Sequence, residues 1–224
     1  MISLIKAFKG TELIIAGLAM LVTLVVSLSL HELSHAFVAY KCGDDTPKNT
    51  GRLTLNPIAH MDPMGLLFCI VFGFGWAKPV EVNPLKFTDY KKGRALVSVA
   101  GVITNYILAA VSFIGYTLCG KFIVDYNNAT LFLYLFFFLM FNLNIMLFVF
   151  NLIPLYPLDG FNFVSVYARP DSKYMRFAYE KGAMALLIAL IVDEVLYAMS
   201  GFSIFTLLVN IASMPITLLF GLII

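Results

Sequence analysis

Two histidines and a glutamate in the sequence His31-Glu32-Leu33-Ser34-His35 form the motif with the most direct chemical meaning in this protein. On a helix, residues four positions apart share one face, so His31 and His35 can both reach a single metal ion. This HExxH pattern is typical of zinc sites, in which the intervening glutamate can act as general base on a water molecule that the ion activates. The motif therefore predicts zinc-dependent hydrolysis.

The motif lies at the end of a long apolar segment, because residues 13–30 contain no charged side chain. Ionisable groups at membrane depth are costly and are tolerated mainly when they pair, bind a metal or line a polar cavity. The alternative is a pair of buried histidines whose polar atoms are satisfied by neighbouring helices. The spacing of His31 and His35 and the presence of Glu32 favour the metal.

A catalytic zinc ion usually has three protein ligands, so the motif needs a partner from elsewhere in the sequence. His60 is one candidate, because it is the only other histidine. Asp159 is the second, since it ends the uncharged stretch 126–158 and follows Pro154 and Pro157, which break a helix and free backbone polar groups. The alternative role for Asp159 is a helix cap or a turn before Gly160.

The composition identifies the surroundings of the motif as a lipid bilayer. Of the 224 residues, 61% are hydrophobic and 12% are charged, whereas soluble domains have roughly 45–50% and about 25%. A net charge of +2 is too small to indicate a nucleic-acid partner. The three cysteines form neither a CxxC pair nor an even disulfide framework. We expect a single membrane-embedded domain over residues 1–224.

Mostly apolar segments long enough to cross a bilayer predict the positions of the helices. They cover residues 13–40, 95–119, 126–153 and 195–224, while the shorter segment 182–192 could span together with its tail or insert halfway. Asp193 and Glu194 predict a break at the membrane interface between the last two segments. The expected fold is an all-α, polytopic helical bundle of about five to six transmembrane helices.

Two shorter regions have other patterns. Residues 63–77 are apolar but too short to span, and we interpret them as a re-entrant or interfacial segment. Alternation at 52–56 and 76–83 is compatible with short strands in a small membrane-associated β segment, and an irregular surface loop is an equal alternative.

The distribution of basic residues gives an orientation to this topology. If 63–77 does not span, the N-terminus and the 120–130 loop carry 3 of the 15 Lys and Arg, and the loops at 41–94 and 154–181 carry the other 12. By the positive-inside rule, the side with 12 is cytoplasmic, and the HExxH helix ends on that side. We therefore expect a multi-pass protein of the cell membrane with its active site towards the cytoplasm.

The HExxH motif together with Asn151-Leu-Ile-Pro154-Leu-Tyr-Pro157-Leu-Asp159-Gly160 resembles the signature of the site-2 protease family of intramembrane zinc metalloproteases. The sequences at 51–65 and 75–80 resemble its compact prokaryotic branch, in which no C-terminal regulatory domain follows. The resemblance covers residues 28–165. It implies a three-helix catalytic core within 11–165, with additional helices in 178–224.

The resemblance also implies a role for individual residues. It assigns one zinc ion per protein molecule to His31, His35 and Asp159, with Glu32 as general base and Asn151 as a donor to the developing oxyanion. Residues expected to bind substrate or support the site are Asn105, His60 and Gly101. For Asn105 and Asn151, hydrogen bonding between helices is the alternative.

Two positions depart from the family pattern without touching a ligand. In the middle-helix motif Ala100-Gly101-x-x-x-Asn105, Val102 replaces the usual proline, and Phe161 follows Gly160 where a small residue is common. Both departures bear on the path of the substrate and leave the metal ligands intact.

The resemblance implies that the protein cleaves single-span membrane proteins within or near their transmembrane segments, in regulated intramembrane proteolysis. One alternative is a membrane zinc peptidase that acts on soluble or lipid-modified peptides. Another is a non-catalytic membrane binding or transport protein, against which the intact Glu32 argues.

Overall fold

A computed structural model describes residues 9–72, 76–123, 125 and 127–221, and in these residues the protein is helical without a strand. Two short 3-10 turns, Pro57–Ala59 and Pro84–Lys86, lie in the connections. In sequence order the helices are α1 (Thr11–Lys41), α2 (Thr46–Asn49), α3 (Pro63–Phe72), α4 (Tyr90–Phe122), α5 (Asn128–Asn151), α6 (Asp159–Tyr167), α7 (Lys173–Glu180), α8 (Gly182–Ser200) and α9 (Ile204–Gly221).

Five of the described helices, α1, α4, α5, α8 and α9, are long and apolar enough to cross a membrane. This confirms the all-α polytopic architecture expected from the sequence. Helix α3 has 10 residues and a length of about 15 Å, about half of a hydrocarbon core of about 30 Å. Its length is consistent with the interpretation of this region as a segment that does not span.

Helices α1, α4 and α5 pack against one another and form the centre of the molecule. Small residues lie at their contacts: Ala16 and Ala19 pack on Leu135, and Ala109 packs on Ile145. In a bilayer, where apolar side chains gain little by leaving lipid, such small residues stabilise helix pairs by letting the backbones approach closely. These three helices carry most of the candidate site.

The predicted break at Asp193 and Glu194 is wrong, because α8 continues through both residues to Ser200. The Asp193 carboxylate is satisfied by the next helix: it accepts hydrogen bonds from the Ser203 hydroxyl and the Ile204 N–H, both at 2.7 Å. The backbone turns at Gly201 instead, where φ is 69° and a residue without Cβ ends the helix.

The predicted strands are wrong as well, and the irregular-loop alternative is correct for the described residues. The pairing found there is a single isolated bridge between Met61 and Ala77. Two backbone N–H groups that a strand partner would otherwise bind donate to carboxylates: Val80 to Glu32 at 3.0 Å, and Asn83 to the buried Asp44 at 2.6 Å. Part of the motif at 75–80, Gly75, lies outside the described residues.

Candidate metal centre

Helix α1 presents two buried histidines on one face. His31 and His35 are one helical turn apart, and their Nε2 atoms lie 3.1 Å from each other. The rings meet edge to face with their centroids 4.7 Å apart. The geometry expected from the HExxH spacing is therefore present.

Asp159 reaches the same point from the start of α6. Its Oδ2 atom lies 3.4 Å from His31 Nε2 and 3.2 Å from His35 Nε2. The turn between α5 and α6 folds back tightly, since a Cβ on Gly160 would lie 2.4 Å from the Leu152 carbonyl oxygen. Glycine at 160 is thus a steric requirement for bringing Asp159 onto the histidines.

These three residues fit a zinc ion. Their ligand atoms are separated by 3.1–3.4 Å, and a tetrahedral zinc site with ligands at about 2.0–2.2 Å has ligand-to-ligand distances of about 3.3 Å. Asp159 Oδ2 is buried and has no hydrogen-bond partner in the structure, a condition that a metal ion relieves. Among the described residues, His31, His35 and Asp159 are the group whose ligand atoms converge within 4.8 Å.

The other ring nitrogens are held by helix α4. The Nδ1 atom of His31 lies 2.6 Å from Asn105 Oδ1, and that of His35 lies 2.7 Å from the Val97 carbonyl oxygen. Both partners are acceptors, so each Nδ1 donates its proton and each Nε2 keeps its lone pair for an ion. Asn105 therefore supports the site by orienting a histidine.

Gly101 supports the site by leaving space. A Cβ at this position would lie 2.4 Å from His31 Cε1 and 2.5 Å from His35 Nε2. Helix α4 can pack directly on both rings only because residue 101 has no side chain. The departure at the next residue, Val102, is buried and leaves this contact in place.

Two polar residues that sequence reasoning missed continue the network away from the metal. Asn105 Nδ2 donates to Asn144 Oδ1 at 2.9 Å, and Asn144 Nδ2 donates to the Ser27 hydroxyl at 2.8 Å. All three residues are fully buried, so this series of hydrogen bonds crosses α4, α5 and α1 without contact with solvent. A signal was present in the sequence: Ser27 precedes His31 by one helical turn, and Asn144 lies within an uncharged helix.

A cavity of about 380 Å³ opens beside the converging ligands, and both Glu32 and Asn151 line it. Glu32 Oε2 accepts a hydrogen bond from the Val80 N–H at 3.0 Å, so the loop 79–84 lies across from the carboxylate. Asn151 Nδ2 donates to the Leu147 carbonyl at 3.1 Å, which uses one of its two N–H groups. The two residues expected to act on a substrate thus share one cavity with the three expected ligands.

His60 is not brought to this centre. It is fully buried in the loop after α2, where its Nε2 lies 2.9 Å from the Thr54 carbonyl oxygen. The second departure from the family pattern, Phe161, is also buried and packs its ring 5.8 Å from that of Tyr156. It fills space beside the turn that carries Asp159.

Comparisons with known proteins agree with this geometry. A family model described as peptidase family M50 matches residues 19–194. The protein is 47% identical over 146 residues to YwhC of Bacillus subtilis, covering 65% of this sequence and 67% of that protein. It is 30% identical over 172 residues to Rip2 of Mycobacterium tuberculosis H37Rv, covering 74% and 63%.

Both relatives are provisionally named zinc metalloproteases. The matches thus span about two thirds of the length of these curated relatives. No solved structure matches this sequence with statistical significance.

Proposed function

The protein belongs to peptidase family M50 and is a membrane zinc metalloprotease, and we propose that it hydrolyses peptide bonds within or near the transmembrane segments of membrane proteins. The observation that carries this proposal is the depth of the candidate centre. His31 lies 10 residues before Lys41, the end of α1, and hence about 15 Å along the helix from that end. A substrate that reaches this depth is most simply a membrane segment itself.

One zinc ion per protein molecule is proposed to bind to His31, His35 and Asp159. Zinc in such a site lowers the pKa of water towards 7 and polarises the scissile carbonyl. The two histidines would hold the ion through Nε2, because Asn105 and Val97 engage their Nδ1 atoms. The Asp159 carboxylate adds a negative charge, which offsets part of the charge of the ion.

Glu32 and Asn151 are proposed to carry out the proton transfer and the charge stabilisation. Glu32 takes a proton from the attacking water and later delivers it to the leaving amine. The N–H of Val80 holds the Glu32 carboxylate towards the cavity at 3.0 Å. Asn151 donates the second N–H of its amide to the developing oxyanion, since the first already binds Leu147.

The substrate must expose a peptide bond before it can react. A transmembrane helix satisfies its backbone groups internally, so the substrate has to unwind locally beside the cavity. Single-span membrane proteins are the proposed partners. The excess of basic residues in the loops at 41–94 and 154–181 supports a multi-pass protein of the cell membrane whose centre faces the cytoplasm.

The test is cleavage in reconstituted vesicles by the zinc-loaded protein and by Glu32→Gln, side by side. We expect the wild type to cut a single-span substrate within or near its span, as read from the masses of the product termini, and Glu32→Gln to leave it intact. Cleavage restricted to soluble or lipid-modified peptides would contradict the membrane substrate. Equal product from both proteins would contradict the role of Glu32.

A further inference from the structure

Among the described residues, one permanently charged cation lines the catalytic cavity, and the reaction above gives it no role. Arg94 lies in the second turn of α4, on the same face as Val97, Ser98 and Gly101, and it forms part of the wall of the cavity that Asp159 also lines. It is half-buried. A guanidinium in such a position usually pairs with a carboxylate or a phosphate, whose two oxygens match its fork of N–H donors.

Within the described part of the protein, no carboxylate forms a salt bridge with Arg94. Its contacts are to neutral groups: Nη2 donates to the Ser165 hydroxyl at 2.8 Å, and Nη1 donates to the Tyr90 hydroxyl at 3.4 Å. The guanidinium carbon also lies 5.5 Å from the centre of the Tyr90 ring. These contacts hold the side chain in position and leave its charge uncompensated.

The carboxylates in the cavity are committed to other partners. Asp159 belongs to the converging ligand group, and Glu32 accepts from the Val80 N–H. When a divalent ion is bound, these two negative charges balance the ion, and the charge of Arg94 remains in excess. A cavity with low-dielectric walls and one excess positive charge favours an anionic group on the molecule that enters it.

The position of Arg94 relates it to the scissile bond. It precedes Gly101, which contacts both histidine rings, by seven residues, or about 10 Å along α4. An extended peptide covers the same distance in about three residues. A group that binds Arg94 while the scissile bond lies at the metal is thus about three residues away in the substrate.

We propose that Arg94 forms a subsite for a carboxylate of the substrate within about three residues of the scissile bond. The carboxylate is either the side chain of an Asp or Glu or a free C-terminus of the substrate, and both offer the same bidentate pairing. The inference rests on the proposed protease function, and it defines the substrate class of that site more narrowly.

The test compares matched substrates in the zinc-loaded wild type, Arg94→Gln and Ser165→Ala. A single-span substrate is prepared with Asp or Asn at each of the three positions on either side of the cleaved bond. A second set ends three residues beyond that bond as a free acid or as an amide. For the wild type we expect kcat/KM to be about 10-fold higher for the acidic member at one position.

Arg94→Gln should reduce that ratio to about 1, whereas Ser165→Ala should keep it, because Ser165 positions Arg94 without contributing charge. Arg94→Glu should invert the preference in favour of a substrate with Lys at the same position, and zinc content confirms that each variant is folded. A preference seen only in the acid and amide pair assigns the subsite to a free C-terminus.

Two outcomes overturn the inference. A wild type that cuts Asp and Asn substrates equally at every position, and the free acid and the amide equally, has no carboxylate subsite. A ratio that survives in Arg94→Gln, with equal losses on both substrates, makes Arg94 an anchor of α4 or a contact for lipid phosphate. In both cases cleavage of the neutral substrate still supports the proposed function, whereas absence of cleavage of any membrane substrate contradicts that function itself.

Discussion

The core helices α1, α4 and α5 and the C-terminal pair α8 and α9 have similar hydropathy but differ in what they bury. In the most apolar 18-residue window of each helix, 28% of the residues are buried in α1, 44% in α4 and 33% in α5, compared with 11% in α8 and 6% in α9. The core encloses polar side chains, whereas much of the outer surface of the pair consists of exposed apolar ones such as Leu187, Ile191 and Leu218. Hydropathy identifies a span, but polar groups buried between spans identify where the chemistry lies.

The two regions meet through contacts unrelated to the ligands. Ile216 of α9 packs on Ala109 and Ile145, and the Tyr106 hydroxyl donates to the Ala212 carbonyl at 3.3 Å. If the contrast between the regions is correct, equivalent substitutions in the core and in the pair will have very different effects on zinc binding and activity.

The largest contrast is expected between Asp159→Asn and Asp193→Asn. Loss of a partner behind a ligand typically costs 10–100-fold in metal affinity, so loss of the ligand charge at Asp159 should cost more than about 100-fold and abolish proteolysis. Asp193→Asn, which is in the pair, should bind zinc as the wild type does. Zinc titration with a competing chelator measures both variants, and equal affinities would contradict the assignment of Asp159.

Gly101→Ala should have the next largest effect. The new methyl group would lie 2.4–2.6 Å from atoms of His31 and His35, so α4 or the rings must shift, and we expect zinc affinity to fall about 10–100-fold. The control is Gly221→Ala in α9, where a Cβ meets nothing within 4 Å. Wild-type zinc affinity in Gly101→Ala would show that α4 does not press on the ligands as described.

The parts of the site that follow from local geometry could be predicted from the sequence. The pairing of His31 with His35 follows from helical periodicity. The helix-breaking prolines at 154 and 157 indicated Asp159 as a candidate third ligand. The network through Asn144 was missed because spacing on one helix does not reveal which neighbour it faces. The strand prediction failed because alternation over a few residues cannot show that a backbone N–H binds a distant carboxylate, as Val80 binds Glu32.

Asn144→Leu tests whether the buried network matters beyond its packing. It removes the donor to Ser27 and the acceptor for Asn105, and we expect a loss of about 1–2 kcal/mol in the free energy of unfolding. Zinc affinity should fall by about 10-fold, since Asn105 then holds His31 less firmly. Asn210→Leu, at an exposed position of α9, is the matched control. If the two variants have the same zinc affinity and the same free energy of unfolding, the buried network does not support the metal centre.

The smallest effect is expected inside the C-terminal pair, from Asp193→Ala. Its carboxylate accepts from the Ser203 hydroxyl and from the Ile204 N–H at the start of α9, so removing it leaves that N–H without its acceptor, while the Ser203 hydroxyl still caps the Thr206 N–H at 2.9 Å. We expect Tm to fall by about 2–4 °C, while zinc affinity and cleavage stay at the wild-type level. Because the pair packs on the core without contacting the ligands, this variant should lose stability without losing zinc affinity or proteolysis. A parallel loss of zinc affinity would instead mean that the pair helps to hold the metal centre in place.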